Sequence, residues 1–333
     1  MPGIVDSFGR NIDYLRLSIT DRCNLRCVYC MGEEGVEWKP HNSMLSFEEI
    51  LRLCRVMAGL GIRKVKVTGG ELLVRKGAVD FIRRLKAVPE IEQVTITTNG
   101  ILLDKYLEEL AAIPLAGINI SLDTLNFETF RRITRREQSA YPDILLKNME
   151  RARLLGIPVK INCVPLKSIN RKELCDIAGL AEKTVKAVRF IELMPIGCAG
   201  ETELVSGAEL RSILEGRFGK LRPTREKPGN GPAVYYAVPG FAGLIGMINA
   251  VTEGFCESCN RLRLSAEGLL QPCLSSDISL DLRSLLLSGA SDSGLAEAVR
   301  GLVGRKPARH SFSGIYGNRR ENHSDRAMFR IGG

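Results

Sequence analysis

Leu15-Arg-Leu-Ser-Ile-Thr-Asp-Arg-Cys23-Asn-Leu-Arg-Cys27-Val-Tyr-Cys30 joins a short strand to a loop carrying three thiols within eight residues. The strand, Leu15–Ile19, is the first of a series. Ser46-Phe-Glu-Glu49 has the spacing of a capping box and opens an apolar-periodic helix that ends near Gly59 and Gly61. Lys64–Thr68 reads as the next strand, then a Gly-Gly turn and a helix to about Ala87. Val94–Thr98 precedes the turn Asn99-Gly100 and a helix to Ala112. Gly117–Ser121, Val159–Val164 and Val188–Leu193 follow, separated by helical stretches near 126–155 and 170–183. Six β-then-α units in a row predict a parallel sheet covered by helices. A flat doubly wound sheet and a curved barrel both fit, although six units fall short of the eight of a closed barrel.

The chain has 333 residues, of which 44% are hydrophobic and 26% charged, an ordinary globular composition. Its length suits one large domain, or a large and a small one. A second capping-box spacing, Ser206-Gly-Ala-Glu209, starts a helix to about Phe218. After Pro223 the texture changes to short strands punctuated by Gly and Pro, then two helical pieces and a basic tail. A boundary is expected in 200–230 and is set at 215/216. Pro228 to Thr252 carries no charge but is broken by prolines and glycines, so a membrane helix is not expected there. The start shows no basic region followed by an apolar run, and the chain is read as cytoplasmic, where thiols stay reduced.

Ten cysteines and a net charge of +9 are the informative totals. Three thiols this close favour a soft metal. A structural zinc site wants four ligands, and after Cys30 the next candidates are His41 and Cys54. Three thiolates on a four-iron cluster would instead leave one iron open. The pattern recurs, because Cys256 and Cys259 are followed by Cys273 with no evident fourth ligand. Cys54, Cys163, Cys175 and Cys198 belong to neither triad and read as incidental thiols.

The charge divides as well. Residues 305–330 hold seven basic and two acidic side chains, more than half of the net charge, and a solvated basic face is the bland alternative for most of those arginines. The other cations lie in strands, where a helix-covered parallel sheet should be apolar. They are Arg16, Lys64, Lys66, Lys160, Arg189, Arg261 and Arg263. Buried cations need anionic partners, so their placement predicts a cavity for a polyanion. No P-loop motif is present to hold phosphates by backbone.

The C-x-x-x-C-x-x-C loop with Tyr29 before its third cysteine resembles the signature of the radical S-adenosylmethionine (SAM) superfamily. Thr68-Gly69-Gly70-Glu71 resembles that superfamily's "GGE" motif. The second triad, its arginines and the end Arg330-Ile-Gly332-Gly333 are similar to the MoaA family, the GTP 3′,8-cyclases of molybdenum cofactor biosynthesis. The likeness implies an incomplete (βα)6 TIM-type barrel whose C-terminal extension carries a second iron–sulfur cluster. It implies two 4Fe–4S clusters, one on Cys23, Cys27 and Cys30 that cleaves SAM reductively, and one on Cys256, Cys259 and Cys273 that meets the guanine. The 5′-deoxyadenosyl radical would take hydrogen from C3′ of GTP, and C3′ would then attack C8.

By the same resemblance Tyr29, Gly70, Glu71, Ser121 and Met194 bind SAM, Glu71 through its ammonium. Arg16, Lys66, Thr97, Lys160, Arg261 and Arg263 bind GTP, with Lys64 and Arg189 as neighbours. Arg261, Arg263, Gly332 and Gly333 would take part in catalysis. The expected partners are a reductant such as flavodoxin or ferredoxin, the downstream cyclic pyranopterin monophosphate synthase, and a second copy in a homodimer. Neither nucleic acid nor membrane is expected as a partner. The chain departs from the family pattern at Gly32, Leu72 and Lys66, which is expected to loosen positioning without changing the reaction. Two other readings remain: a peptide-modifying radical SAM enzyme with an auxiliary cluster, and a zinc protein binding nucleic acid through its basic tail.

Overall fold

The computed structural model describes residues 3–34, 40, 43–196, 198 and 204–312. Six strands form the frame: β1 (Tyr14–Ser18), β2 (Lys64–Thr68), β3 (Gln93–Thr98), β4 (Gly117–Ser121), β5 (Val159–Cys163) and β6 (Ala187–Ile191). All pair in parallel, each with its neighbour in sequence. The helices between them are α1 (Phe47–Gly59), α2 (Ala78–Lys86), α3 (Leu107–Ala111), α4 (Phe127–Thr134), α5 (Asp143–Leu154) and α6 (Leu174–Gly179). The helical stretch read near 126–155 divides into two helices, because Arg135 caps α4 with φ +52 and breaks the ladder. Ser46 and Glu49 form the expected reciprocal cap of α1. Before α7 (Gly207–Phe218), Ser206 caps Glu209 N–H, but the Glu209 carboxylate pairs with Arg171 instead of closing a box.

The C-terminal third adds β7 (Arg222–Thr224), β8 (Val234–Ala237), β9 (Leu244–Ile248), β10 (Arg261–Leu264), β11 (Leu269–Gln271) and β12 (Leu280–Asp281). It also supplies α8 (Leu282–Leu287) and α9 (Asp292–Gly304). Strand β9 joins β6 in parallel and β10 joins β1 in parallel. The order is therefore β12-β11-β10-β1-β2-β3-β4-β5-β6-β9-β8-β7, one sheet extended at both edges. The division at 215/216 falls in the last turn of α7, and residues beyond it supply strands to both sides of the frame. The segment 228–252 forms β8 and β9, and among the described residues no helix is long and apolar enough to cross a membrane.

Side-chain alternation explains the cations in the strands. Leu15, Leu17, Val65, Val67, Ile96, Ile118, Ile120, Val188 and Phe190 share one face and are buried against the helices. Each such side chain contributes about 1.5–3 kcal/mol on burial. The opposite face carries Arg263, Arg16 and Lys66, aligned across β10, β1 and β2 by register. Thr97 pairs in register with Asn119, Asn119 with Lys160, and Asn162 with Arg189. One cavity touches side chains from β1 to β6, β9 and β10, so the sheet curls around it as an open barrel. The strands alternate because their inner face lines a polar cavity.

Candidate active site

The first triad follows β1 on a loop held by backbone. Arg26 N–H donates to Thr134 O and Val28 N–H to Ile133 O, fastening the loop to the end of α4. Cys30 and Met31 N–H both donate to Cys27 O, and Leu25 N–H donates to Cys23 Sγ at 3.4 Å. None of the three cysteines is in a disulfide, and all are half-buried. Burial pushes Cys23 up to about 11 and Cys27 well above the ordinary thiol range, with Asp123, Cys30 and Cys23 adding to the effect on Cys27. Thiols held so close and so short of positive charge fit a cationic metal centre that binds them as thiolates.

The Gly-Gly turn has a steric cause. A Cβ on Gly70 would lie 2.4 Å from Arg22 O, and one on Gly69 2.7 Å from Thr20 O. Gly70 N–H donates to Thr20 O and Glu71 N–H to Arg22 O, both at 2.8 Å, so turn and cluster loop meet backbone to backbone. Glu71 is enclosed rather than facing open space. Its carboxylate accepts from Leu73 N–H at 3.0 Å, Thr98 Oγ1 at 2.8 Å and Asn99 N–H at 2.7 Å. Three of about four acceptor positions are thus taken by the protein.

Two cavities occupy the barrel interior. One, of about 160 Å³, is bordered by the first triad with Gly69 and Gly70. The other, of about 230 Å³, is bordered by the second triad and by Arg16, Lys66, Arg189, Arg261 and Arg263. They share a wall made of Tyr29, Thr97, Ser121 and Asp123. Tyr29 OH donates to Asp123 Oδ2 at 2.5 Å, and Val164 N–H donates to Oδ1 at 2.8 Å. Burial raises the Asp123 carboxyl to about 6 against those two donors.

The larger cavity is strongly cationic. Burial holds Lys66 well below the usual ammonium range, and Arg189, Arg16, Lys160 and Arg261 add to it. Burial likewise lowers Arg16 to about 10, with a counter-effect from Tyr14 and further lowering by Arg261 and Arg189. Among the described residues no acceptor meets Lys66 Nζ. Arg189 is anchored by Asn119 Oδ1 at 2.5 Å and Asn162 Oδ1 at 2.6 Å. Like charges gathered at a shared cavity repel, and a polyanion removes that cost.

Lys64 and Lys160 are placed differently. Lys64 Nζ is paired with Asp13 Oδ2 at 2.7 Å. Lys160 Nζ donates to Pro228 O at 2.7 Å, and neither lysine borders the larger cavity. Met194 borders the larger cavity and not the smaller. Gly332 and Gly333 lie outside the described residues.

The second triad is wrapped by donors. Cys256 and Cys259 flank a 3-10 turn (Cys256–Ser258), and Cys273 follows β11. His310 N–H donates to Cys256 Sγ at 3.4 Å, Arg261 Nη2 to Cys259 Sγ at 3.8 Å, and Ser275 Oγ lies 3.5 Å from Cys273 Sγ. Burial pushes the Cys259 thiol up, but Arg261 and then Lys306 outweigh it and bring it to about 7. Such a thiol is readily a thiolate, which suits cluster ligation. Lys306 is 2% exposed and donates to Arg261 O at 2.9 Å and to Pro272 O, so the start of the basic tail is structural rather than solvated. Arg10 clamps the same region, donating to Cys256 O, Pro307 O and Ala308 O.

Sequence reading missed Asp123, Glu192, Arg10 and Lys306. Asp123 follows a strand end by two residues and Glu192 directly follows β6, positions that carry no periodic signal. Lys306 was hidden by the basic run around it.

The radical SAM superfamily model matches residues 17–181, and the Molybdenum Cofactor Synthesis C model matches residues 186–312. The chain is 43% identical over 316 residues to a GTP 3′,8-cyclase of Petrotoga mobilis, covering 93% of this chain and 95% of that one. It is 44% identical to a GTP 3′,8-cyclase of Thermodesulfovibrio yellowstonii, over 91% of this chain and 94% of that one. Among solved structures, SuiB of Streptococcus suis is similar in fold, with TM-score 0.59 and 18% identity over 87% of this chain and 68% of that one.

Proposed function

The chain belongs to the GTP 3′,8-cyclase family of radical SAM enzymes, and from that premise we propose which of its residues carry out the reaction. The protein converts GTP to (8S)-3′,8-cyclo-7,8-dihydroguanosine 5′-triphosphate in molybdenum cofactor biosynthesis, using SAM and iron–sulfur clusters. When bound, those groups supply the 5′-deoxyadenosyl radical and an iron site for the base. Cys23, Cys27 and Cys30 are assigned to one 4Fe–4S cluster, and Cys256, Cys259 and Cys273 to the other.

SAM is assigned to the smaller cavity, against Tyr29, Gly70 and Ser121. Glu71 borders neither cavity, and its carboxylate holds Thr98 and Asn99, which line the smaller one. Met194 would reach SAM only from the larger cavity's side. GTP is assigned to the larger cavity, with Arg16, Lys66, Arg189 and Arg263 toward the triphosphate and Arg261 bridging substrate and Cys259. Thr97 sits in the shared wall. Lys160 and Lys64 support the floor, through Pro228 O and Asp13 respectively.

The observation that carries this reading is the shared wall of Tyr29, Thr97, Ser121 and Asp123 between a thiol-lined and a cation-lined cavity. It lets a radical formed on one side meet a nucleotide on the other without entering water. Gly332 and Gly333 complete the site in this proposal, and a flavodoxin or ferredoxin supplies electrons. The product passes to cyclic pyranopterin monophosphate synthase, and the working unit is a homodimer. Residues 1–215 carry the SAM barrel, and 216–333 the second cluster. The test is anaerobic incubation of the reconstituted protein with SAM, dithionite and single nucleotides. 5′-Deoxyadenosine should form with GTP; formation indifferent to GTP refutes the reading.

A further inference from the structure

Arg189 on β6 is held at both ends of its side chain. Its Nη2 donates to Asn119 Oδ1 at 2.5 Å and to Asn162 Oδ1 at 2.6 Å. Its stem is met by two strands of the C-terminal third. Arg189 pairs in register with Gly246 on β9, and Gly246 pairs with Tyr235 on β8. A Cβ on Gly246 would lie 2.9 Å from Arg189 Cγ and 2.9 Å from Tyr235 Cε1. The missing side chain thus lets the arginine stem and the tyrosine ring approach across the strand between them.

Tyr235 is 2% exposed and Arg189 3%. Among the described residues neither Tyr235 OH nor Arg189 Nε has a hydrogen-bond partner. Burial raises the Tyr235 hydroxyl, and the Arg189 guanidinium beside it works against that rise. Two buried donors left unpaired side by side are costly, and such exceptions in a native structure call for a ligand or a function. What both lack is an acceptor, and a phosphate oxygen is a charged one with several lone pairs. Arg189 borders the larger cavity, Tyr235 borders a groove of about 1160 Å³ lined by the C-terminal third, and Gly231 and Pro232 border both. The two donors therefore stand where cavity and groove adjoin.

We propose that Arg189 Nε and Tyr235 OH form a subsite for the β- or γ-phosphate, which makes the site selective for a nucleoside triphosphate over a monophosphate. This deepens the assignment of GTP to the larger cavity and rests on it. In that assignment the ribose faces the shared wall, and the α-phosphate is fixed to the ribose. Neither Arg189 nor Tyr235 borders the smaller cavity, so the group they take lies farther along the phosphate chain. A triphosphate satisfies both orphaned donors, whereas a monophosphate leaves them unpaired, the arrangement that discriminates most strongly.

The test is equilibrium binding of GTP and GMP to the anaerobically reconstituted protein and its Tyr235→Phe variant, with the Tm of each measured without nucleotide. Phenylalanine keeps the ring over Gly246 and removes only the hydroxyl. Base and ribose are common to both ligands, so the GTP-to-GMP ratio isolates the outer phosphates. The wild type should prefer GTP over GMP by at least about tenfold. The variant should bind GTP about tenfold more weakly than the wild type does, and GMP within about twofold of it. Its Tm without nucleotide should be unchanged or higher, because the hydroxyl it loses has no partner there. An unchanged GTP-to-GMP ratio overturns the proposal. So does a lowered Tm with GTP and GMP weakened alike, which a merely structural hydroxyl would give. A wild type that binds no GTP refutes the functional assignment instead.

Discussion

Lys66 stands where a cation is least comfortable, aligned in register with Arg16 on β1 and bordering a cavity that holds Arg189 and Arg263. Burial first, and then its cationic neighbours, depress its pKa. A triphosphate would raise that pKa again, so binding takes up a proton at any pH between the empty and the occupied values. Affinity is full below the lower value and falls as pH rises through the upper one. Calorimetry of GTP binding in two buffers of different ionisation enthalpy should therefore give different heats. Lys66→Arg should abolish the difference, since a guanidinium stays charged throughout. Equal heats in the wild type would contradict this. At this scale the sequence was readable where residues repeat. Alternating Arg and Leu in β10, or Lys and Val in β2, announced a polar inner face. Asp123 and Glu192 could not be read so, because a lone carboxylate near a strand end acquires meaning only from what the fold brings beside it.

The turn between β2 and α2 shows how an element can be conditioned by its neighbour rather than by its own propensity. Its glycines are needed because the Thr20–Arg22 backbone lies against them. Gly70→Ala should push the loop bearing Cys23 out of place, because the clash is with backbone that cannot rotate away. Reconstituted variant protein is expected to hold about four irons per chain where the wild type holds about eight, with the second triad still loaded. A full complement of iron would contradict the backbone-contact argument. Leu72, one of the departures from the family pattern, is fully buried in the 3-10 turn that follows, so its role here is packing. Elements with a strong period, such as the six strands and α1, were legible within a residue or two. The split into α4 and α5 was not, since it depends on one left-handed residue, Arg135.

The described residues are organised around an open barrel whose two edges are closed by the same C-terminal third. Strand β10 covers the free side of β1 and β9 covers the free side of β6. A fragment of residues 1–215 would expose both parallel edges and lose the clamps made by Arg10 and Lys306. It should aggregate, as read by size exclusion and light scattering, because uncovered strand edges template association. A monomeric fragment with cooperative unfolding would contradict this. Counting βα units points to a helix-covered parallel sheet and leaves flat and curved forms open; the barrel follows from the family resemblance, and the strand order from neither, because β9 and β10 pair across more than 50 and 240 residues of sequence respectively. We propose that the cavity of the first triad and the cavity of the second act on one nucleotide across their shared wall. Its most direct test is anaerobic turnover with SAM, reductant and GTP deuterated at C3′. Deuterium is expected in the 5′-deoxyadenosine, with a cyclised nucleotide formed alongside it. 5′-Deoxyadenosine that accumulates without deuterium would contradict it.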